Sequence, residues 1–342
     1  MRAAILGIAW HLPERIETNE DLRQENPDWR MDDLYEKSGI RARHVAANDE
    51  TASDLGCRAA RKLLLREIVP NEQIDYLIFC TQCPDHFLPS GACVLQDSLG
   101  LGRHVGAFDV NLGCSGFVYG LQIAKSFVDS GVARNVLLVT ADTYSKYIHP
   151  RDRTVRTLFG DGAAATLIGA SEWGGAIGDF VIGTDGAGAE NLIVRSGGLR
   201  KPRSSDTAKQ ITDDSGCTRS EDNLFMDGPA IFSFAITTVP RTVKRLLEKS
   251  ALSPDEVDWY VYHQANKYML EHLAKRSRIP KEKMIVDVET VGNTVSASIP
   301  LAIQRAVEGG RIRAGERLVL VGFGVGYSWA ACTLIWRPEP ER

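Results

Sequence analysis

Short apolar runs along this chain alternate with longer segments in which apolar residues recur every three or four positions, the pattern of strands and helices in succession. Residues 1–10 form the first apolar run. His11-Leu12-Pro13-Glu14 ends it before any small-residue cleavage site, so it predicts a first strand and not a signal peptide. Tyr76-Leu77-Ile78-Phe79-Cys80 predicts a buried strand, and residues 116–129 a helix that feeds a strand at 135–140. The same order returns later: 302–308 is helical, Gly309-Gly310 closes it, and 317–321 is the next strand. Residues 318–336 carry no charge and are long enough to span a bilayer, but Gly322, Gly324 and Gly326 alternate through the middle. Two buried strands joined by a glycine loop fit better. The alternation as a whole predicts an α/β layered fold with parallel or mixed sheets.

The recurrence extends to residue level. Ile74-Asp75-Tyr76-Leu77-Ile78-Phe79-Cys80 matches Val257-Asp258-Trp259-Tyr260-Val261-Tyr262-His263, and Phe108-Asp109-Val110 matches Val286-Asp287-Val288. Each match runs through a turn containing Gly113 or Gly292 into a helix that begins near Cys114 or Asn293. This predicts a doubled fold, with one half over 1–175 and the other over 176–342, related by a pseudo-twofold that brings corresponding strand ends together. Residues 197–223 break the pattern: polar, charge-rich and aperiodic, they predict a mobile surface insertion.

A length of 342 residues accommodates two such halves. With 44 acidic against 40 basic residues the net charge is −4, which argues against a nucleic-acid partner, and no segment argues for a membrane. The 31 glycines follow no collagen period and point to tight turns or close backbone approach to a ligand. Seven irregularly spaced cysteines are no disulfide framework and fit a reducing cytoplasm. Cys80-Thr81-Gln82-Cys83 has the spacing of a redox or zinc pair, but no second pair exists and it does not open a helix, so no metal is expected. The glycines of 183–188 lack the strand and helix order of a dinucleotide site.

Three residues carry candidate chemistry. Cys114, in Asn111-Leu112-Gly113-Cys114-Ser115-Gly116-Phe117, follows a strand and precedes a helix, where the helix dipole is expected to lower the thiol's pKa. His263 ends an apolar strand in Tyr262-His263-Gln264-Ala265-Asn266, where α/β sheets place ligands. Asn293 stands in Gly292-Asn293-Thr294. Alone, each also suits a structural role: a small core thiol, a satisfied core histidine, a helix cap. Together, at repeat-related edges, they make a nucleophile with two hydrogen-bond donors. Phe323-Gly324-Val325-Gly326-Tyr327 offers main-chain N–H groups to an oxyanion, or is a plain tight turn. Phe159-Gly160-Asp161-Gly162-Ala163-Ala164-Ala165 reads as close packing at the junction of the halves.

These motifs, with Ser38-Gly39-Ile40-Arg41-Ala42-Arg43-His44 near the start, resemble the β-ketoacyl-acyl-carrier-protein synthase III family of the thiolase superfamily, in order and over nearly the whole chain. The resemblance implies a five-layered αβαβα fold, a homodimer and an acyltransferase without a permanently bound cofactor. An acyl group would pass from acyl-CoA to Cys114, and condense with malonyl-acyl carrier protein with loss of CO₂, His263 and Asn293 binding the thioester oxygen. It further implies an oxyanion hole of the Cys114 and Val325 N–H groups, and a Leu88 that closes the partner's acyl pocket. Gly228, Phe232 and Asn266 match positions along the pantetheine tunnel, and Arg153 one near the coenzyme A nucleotide. The adenine-stacking Trp of many members is missing from Asp33-Leu34-Tyr35-Glu36-Lys37-Ser38, and Ser233 and Tyr268 stand where carrier-docking basic residues are expected, with Lys267 as a substitute. A specialised enzyme acylating an oxygen or nitrogen, and a catalytically silent partner subunit, are the competing readings.

Overall fold

Strands in this protein are apolar at successive positions because both faces are covered. The computed structural model describes residues 2–171 and 175–337; Met1, the expected start of the first strand, lies outside them, as do the last five residues of the second half. One mixed sheet is built from β1 (Arg2–His11), β2 (Ile74–Cys80), β3 (Gly106–Val110), β4 (Asn135–Asp142) and β5 (Gly162–Ser171) in the order β1-β5-β4-β2-β3. The second holds β6 (Ala176–Thr184), β7 (Trp259–Tyr262), β8 (Arg317–Gly324) and β9 (Ser328–Ile335) in the order β7-β8-β9-β6. In both, a parallel pair (β2 with β4, β7 with β8) is followed by two antiparallel neighbours. The second sheet thus repeats the first without its edge strand.

Alternate side chains of each strand enter different cores. Leu77 and Phe79 of β2 pack with α1 (Ala52–Leu64) and α2 (Gly91–Ser98), whereas Ile78 and Cys80 pack with α3 (Gly116–Asp129). In β8, Leu318 and Leu320 face that same central core, and Val319, Val321 and Phe323 face α4 (Gly228–Lys249) and α5 (Lys267–Ser277). The middle layer, α3 with α6 (Ser298–Glu308), lies between the sheets and is apolar almost all round. The layers therefore run helix, sheet, helix, sheet, helix. Helix α6 starts four residues before the expected 302 because Pro300 sits in its first turn, where no intrahelical N–H is needed.

Two expectations are corrected. Residues 286–288 do not pair as 106–110 do; the neighbouring contact with β7 is a single bridge, Tyr260 with Met284. The Gln264 side chain intervenes, donating to the Tyr262 and Ile285 carbonyls and accepting the Asp287 N–H, so it satisfies groups a ladder would have used. Nor is 197–223 a simple surface loop. Its hairpin (Ile211–Thr212 with Thr218–Arg219) is fastened by Arg219 to the buried Asp152 carboxylate at 2.8 Å and by the Thr218 N–H to the Arg151 carbonyl. Ion pairs and buried Thr207 and Cys217 replace the apolar periodicity that the composition lacks.

Candidate active site

Cys114 sits on the turn between β3 and α3, one residue before the Ser115 that precedes the helix. Strand β8 backs onto this turn so closely that only glycine fits: a Cβ at 322 would lie 2.8 Å from the Cys114 carbonyl oxygen, and one at 324 would lie 2.9 Å from Sγ. The alternating glycines are thus a requirement of approach to the thiol. Gly324→Ala is expected to cost ~1–3 kcal/mol of stability and to slow acylation of Cys114 about tenfold through displacement of Sγ, read by thermal unfolding and by the rate of mass gain.

The thiol is buried. The N–H groups of Cys114 itself and of Val325 bond to it and favour the thiolate, but burial, with the Asp142 carboxylate as a second cause, pushes it up to about 12. This overturns the expectation of a lowered pKa: the helix end is local, and desolvation of the whole site outweighs it. The Val325 loop is tied to the cysteine turn by Ser115 Oγ and Ser328 Oγ, 2.6 Å apart, with Ser328 donating to the Val325 carbonyl at 2.9 Å.

His263 follows β7, its N–H donating to the Val321 carbonyl and its ring lying edge-on to Phe323. Nδ1 is 2.7 Å from Ser298 Oγ, which also receives the Gln264 N–H. A Ser298 hydroxyl that gives its hydrogen to Nδ1 leaves the ring proton on Nε2. Burial takes the imidazole down to about 3, a backbone hydrogen bond with Val295 opposing, so the ring is held neutral and is a poor base. Asn293 is also buried, its N–H donating to the carbonyl of Leu158, just before the Phe159–Ala165 segment, and its carbonyl accepting the Gly160 N–H within it. A Cβ at Gly160 would meet the Val291 carbonyl at 2.4 Å, which is the close packing expected there. Asn293 Oδ1 accepts the Val295 N–H at 3.0 Å. A main-chain N–H only donates, so the amide's donor end is the one left over.

Three turns therefore meet: Val295 packs in one core with Cys114, a Cβ on Gly113 would touch Val295, and Gly324 faces Sγ. Beside them lies a cavity of about 1210 Å³ whose walls include Gln82, Leu88, Tyr144, Leu192, Leu224 and Val325. Leu199 and Arg203 of the 197–223 segment line it too. Leu88 is 87% exposed in the single chain, beside Phe87 at 78%.

The remaining expected contacts fall into two groups. Gly228 opens α4, Phe232 follows one turn later, and Asn266 caps α5 through the Met269 N–H; the Phe232 and Tyr268 rings lie 5.6 Å apart. Arg153 is tied elsewhere, to the Ser215 carbonyl of the hairpin at 2.7 Å. Sequence reasoning missed Ser298 and the buried Asp142, whose carboxyl is raised to about 7 by burial. Among the described residues, no group of three His, Cys, Asp or Glu side chains is placed to hold a metal ion.

Residues 108–186 match the family model described as 3-oxoacyl-[acyl-carrier-protein (ACP)] synthase III, and residues 247–336 match its C-terminal model. The β-ketoacyl-[acyl-carrier-protein] synthase III of Caldanaerobacter subterraneus subsp. tengcongensis is 36% identical over 98% of both chains. A crystal structure of a 3-oxoacyl-(acyl-carrier-protein) synthase III superimposes with a TM-score of 0.96 at 50% identity, covering 98% of this chain and 100% of that one. The 3-oxoacyl-(acyl-carrier protein) synthase of Burkholderia xenovorans LB400 gives 0.90 at 38% identity, covering 99% and 95%.

Proposed function

The chain belongs to the 3-oxoacyl-[acyl-carrier-protein] synthase III family, and on that premise we propose that it loads an acyl group from acyl-CoA onto Cys114 and condenses it with malonyl-acyl carrier protein. In loading, the Cys114 sulfur forms the new thioester as the bond to the coenzyme A sulfur breaks, and the thiol proton ends on the departing thiol. The Cys114 and Val325 N–H groups, already aimed at Sγ, receive the developing oxyanion. In condensation, the malonyl carboxylate leaves as CO₂ and its electron pair becomes an enolate. The enolate carbon attacks the Cys114 thioester, and the thiolate leaves and regains a proton.

The observation that carries this reading is the hydrogen-bond state of His263 and Asn293. The Val295 N–H occupies Oδ1 and leaves Asn293 Nδ2 as a donor to an enolate oxygen, and with Ser298 giving its hydrogen to Nδ1 the His263 ring carries its proton on Nε2 for the same task. Transfer to an alcohol or amine needs a base, and an imidazole held down to about 3 is a poor one. The intact set also argues against a silent subunit. A panel of acyl-CoA thioesters, with the added mass mapped to Cys114, tests the loading step; label on Cys80 or Cys83 instead would overturn the assignment.

Exposed Phe87 and Leu88 beside the cavity support a homodimer in which each Leu88 closes the partner's acyl pocket. Leucine is smaller than an aromatic residue, so donors longer than acetyl are accepted. Each further buried CH₂ is worth ~0.8 kcal/mol. Leu88→Trp is expected to lower the rate with longer donors about fourfold per CH₂ excluded while sparing acetyl-CoA. An unchanged chain-length profile contradicts the pocket assignment. Gly228, Phe232 and Asn266 line the pantetheine path in this reading, and Arg153 meets the nucleotide end. All seven cysteines are free, which supports a cytoplasmic location. No helix among the described residues is long and apolar enough to cross a membrane.

A further inference from the structure

The turn that carries Asn293 is held in an unfavourable shape. Gly292 has φ +66°, and Val295, a β-branched residue, has φ +52°, in the left-handed region that such side chains avoid. Backbone of this kind persists only where its surroundings over-determine it. The group that grips it is Asp142, at the end of β4 and wholly buried. Asp142 Oδ2 accepts the Ser296 N–H at 3.2 Å and the Ser296 hydroxyl at 2.5 Å, immediately after Val295. Its other oxygen serves a different loop: Oδ1 accepts the Gln82 N–H at 2.8 Å. Gln82 in turn lines the cavity, where Oε1 accepts the Tyr144 hydroxyl at 2.6 Å and its carbonyl accepts the Tyr147 hydroxyl at 3.1 Å. One buried carboxyl thus joins a wall of the acyl cavity to the turn that presents Asn293. The Val325 side of the site is held by a separate chain, Ser115 to Ser328 to Val325.

We propose that Asp142 is a positioning residue for condensation: through Ser296 it fixes the turn that aims Asn293, and through Gln82 it couples that turn to the acyl cavity, while loading of Cys114 does not depend on the Ser296 contact. The proposal rests on the condensation reading above. It separates two steps that a general loss of packing would impair together.

The test compares Ser296→Ala and Asp142→Asn with the natural protein in two assays. One follows mass gain on Cys114 in a single turnover with acyl-CoA; the other follows CO₂ release when pre-acylated protein meets malonyl-acyl carrier protein. Ser296→Ala removes one hydrogen bond to a carboxylate, so condensation is expected to fall about tenfold with loading unchanged within about twofold. Asp142→Asn is expected to fall at least as far, and adding Ser296→Ala to it should cost little more, because both act through one contact. Asparagine would face donors with a donor; if that variant unfolds, Ser296→Ala carries the test alone. Equal losses in both assays, full additivity in the double variant, or unchanged condensation in Ser296→Ala would overturn the proposal. Should the natural protein load Cys114 but release no CO₂, the condensation reading falls and this proposal falls with it; a natural protein that condenses while the variants fail to show the predicted pattern strikes only at Asp142.

Discussion

Cys114→Ala is expected to abolish acyl transfer, lowering turnover with any acyl-CoA on the order of 10⁴-fold or more, while the protein folds normally. The loss follows from covalent chemistry: without Sγ there is no atom to hold the acyl group between the two steps. Folding should survive because alanine keeps the Cβ and removes one buried atom from the turn. Six other cysteines remain; burial pushes Cys80, Cys83 and Cys332 upward as it does Cys114, but none of those three has the two N–H groups that face Cys114. Acyl mass on the intact variant, or residual turnover within about a hundredfold of the natural protein, would contradict the assignment. Circular dichroism and thermal unfolding on the same sample separate loss of chemistry from loss of fold.

Asn293→Ala is expected to lower condensation roughly a hundredfold, the effect of ~3 kcal/mol for one lost oxyanion donor, and to leave the first acylation of Cys114 within a few-fold of its natural rate. Alanine also strands the Val295 N–H that Oδ1 now accepts, next to strained backbone, so part of any loss could come from the turn itself. Asn293→Asp resolves this. The aspartate keeps an acceptor for Val295 but replaces the leftover donor with a negatively charged oxygen, so condensation should fall as far as in the alanine variant. Recovery of condensation in the aspartate variant would mean that Asn293 serves the turn and not the enolate.

Much of the fold was legible because both sheets are covered on both faces, which makes strands such as Tyr76–Cys80 and Leu318–Val321 apolar without a break. Cys114, His263 and Asn293 stood out because each follows a strand or a glycine turn at a repeat-related place. What escaped depends on contacts distant in sequence. Asp142 gains its significance from Ser296, 154 residues away, and Ser298 from His263, 35 residues away; a single polar residue at a strand end announces neither. The Cys114 thiol was misjudged for the same reason, since the helix start is visible locally and the burial that outweighs it is not. Gln264 replaced an expected strand pairing with its side chain, an outcome no periodicity encodes. Residues 197–223 looked mobile because they are polar, yet Arg219, Asp152 and Asp213 fasten them by charge.

The measurement that bears most directly on the central claim is the fate of labelled malonyl-acyl carrier protein given to protein already acylated on Cys114. Release of labelled CO₂ in step with loss of the acyl mass from Cys114, and with appearance of a β-ketoacyl thioester, is the predicted result. If no malonyl thioester yields CO₂ while the acyl group passes readily from Cys114 to an alcohol or an amine, the condensation account is wrong.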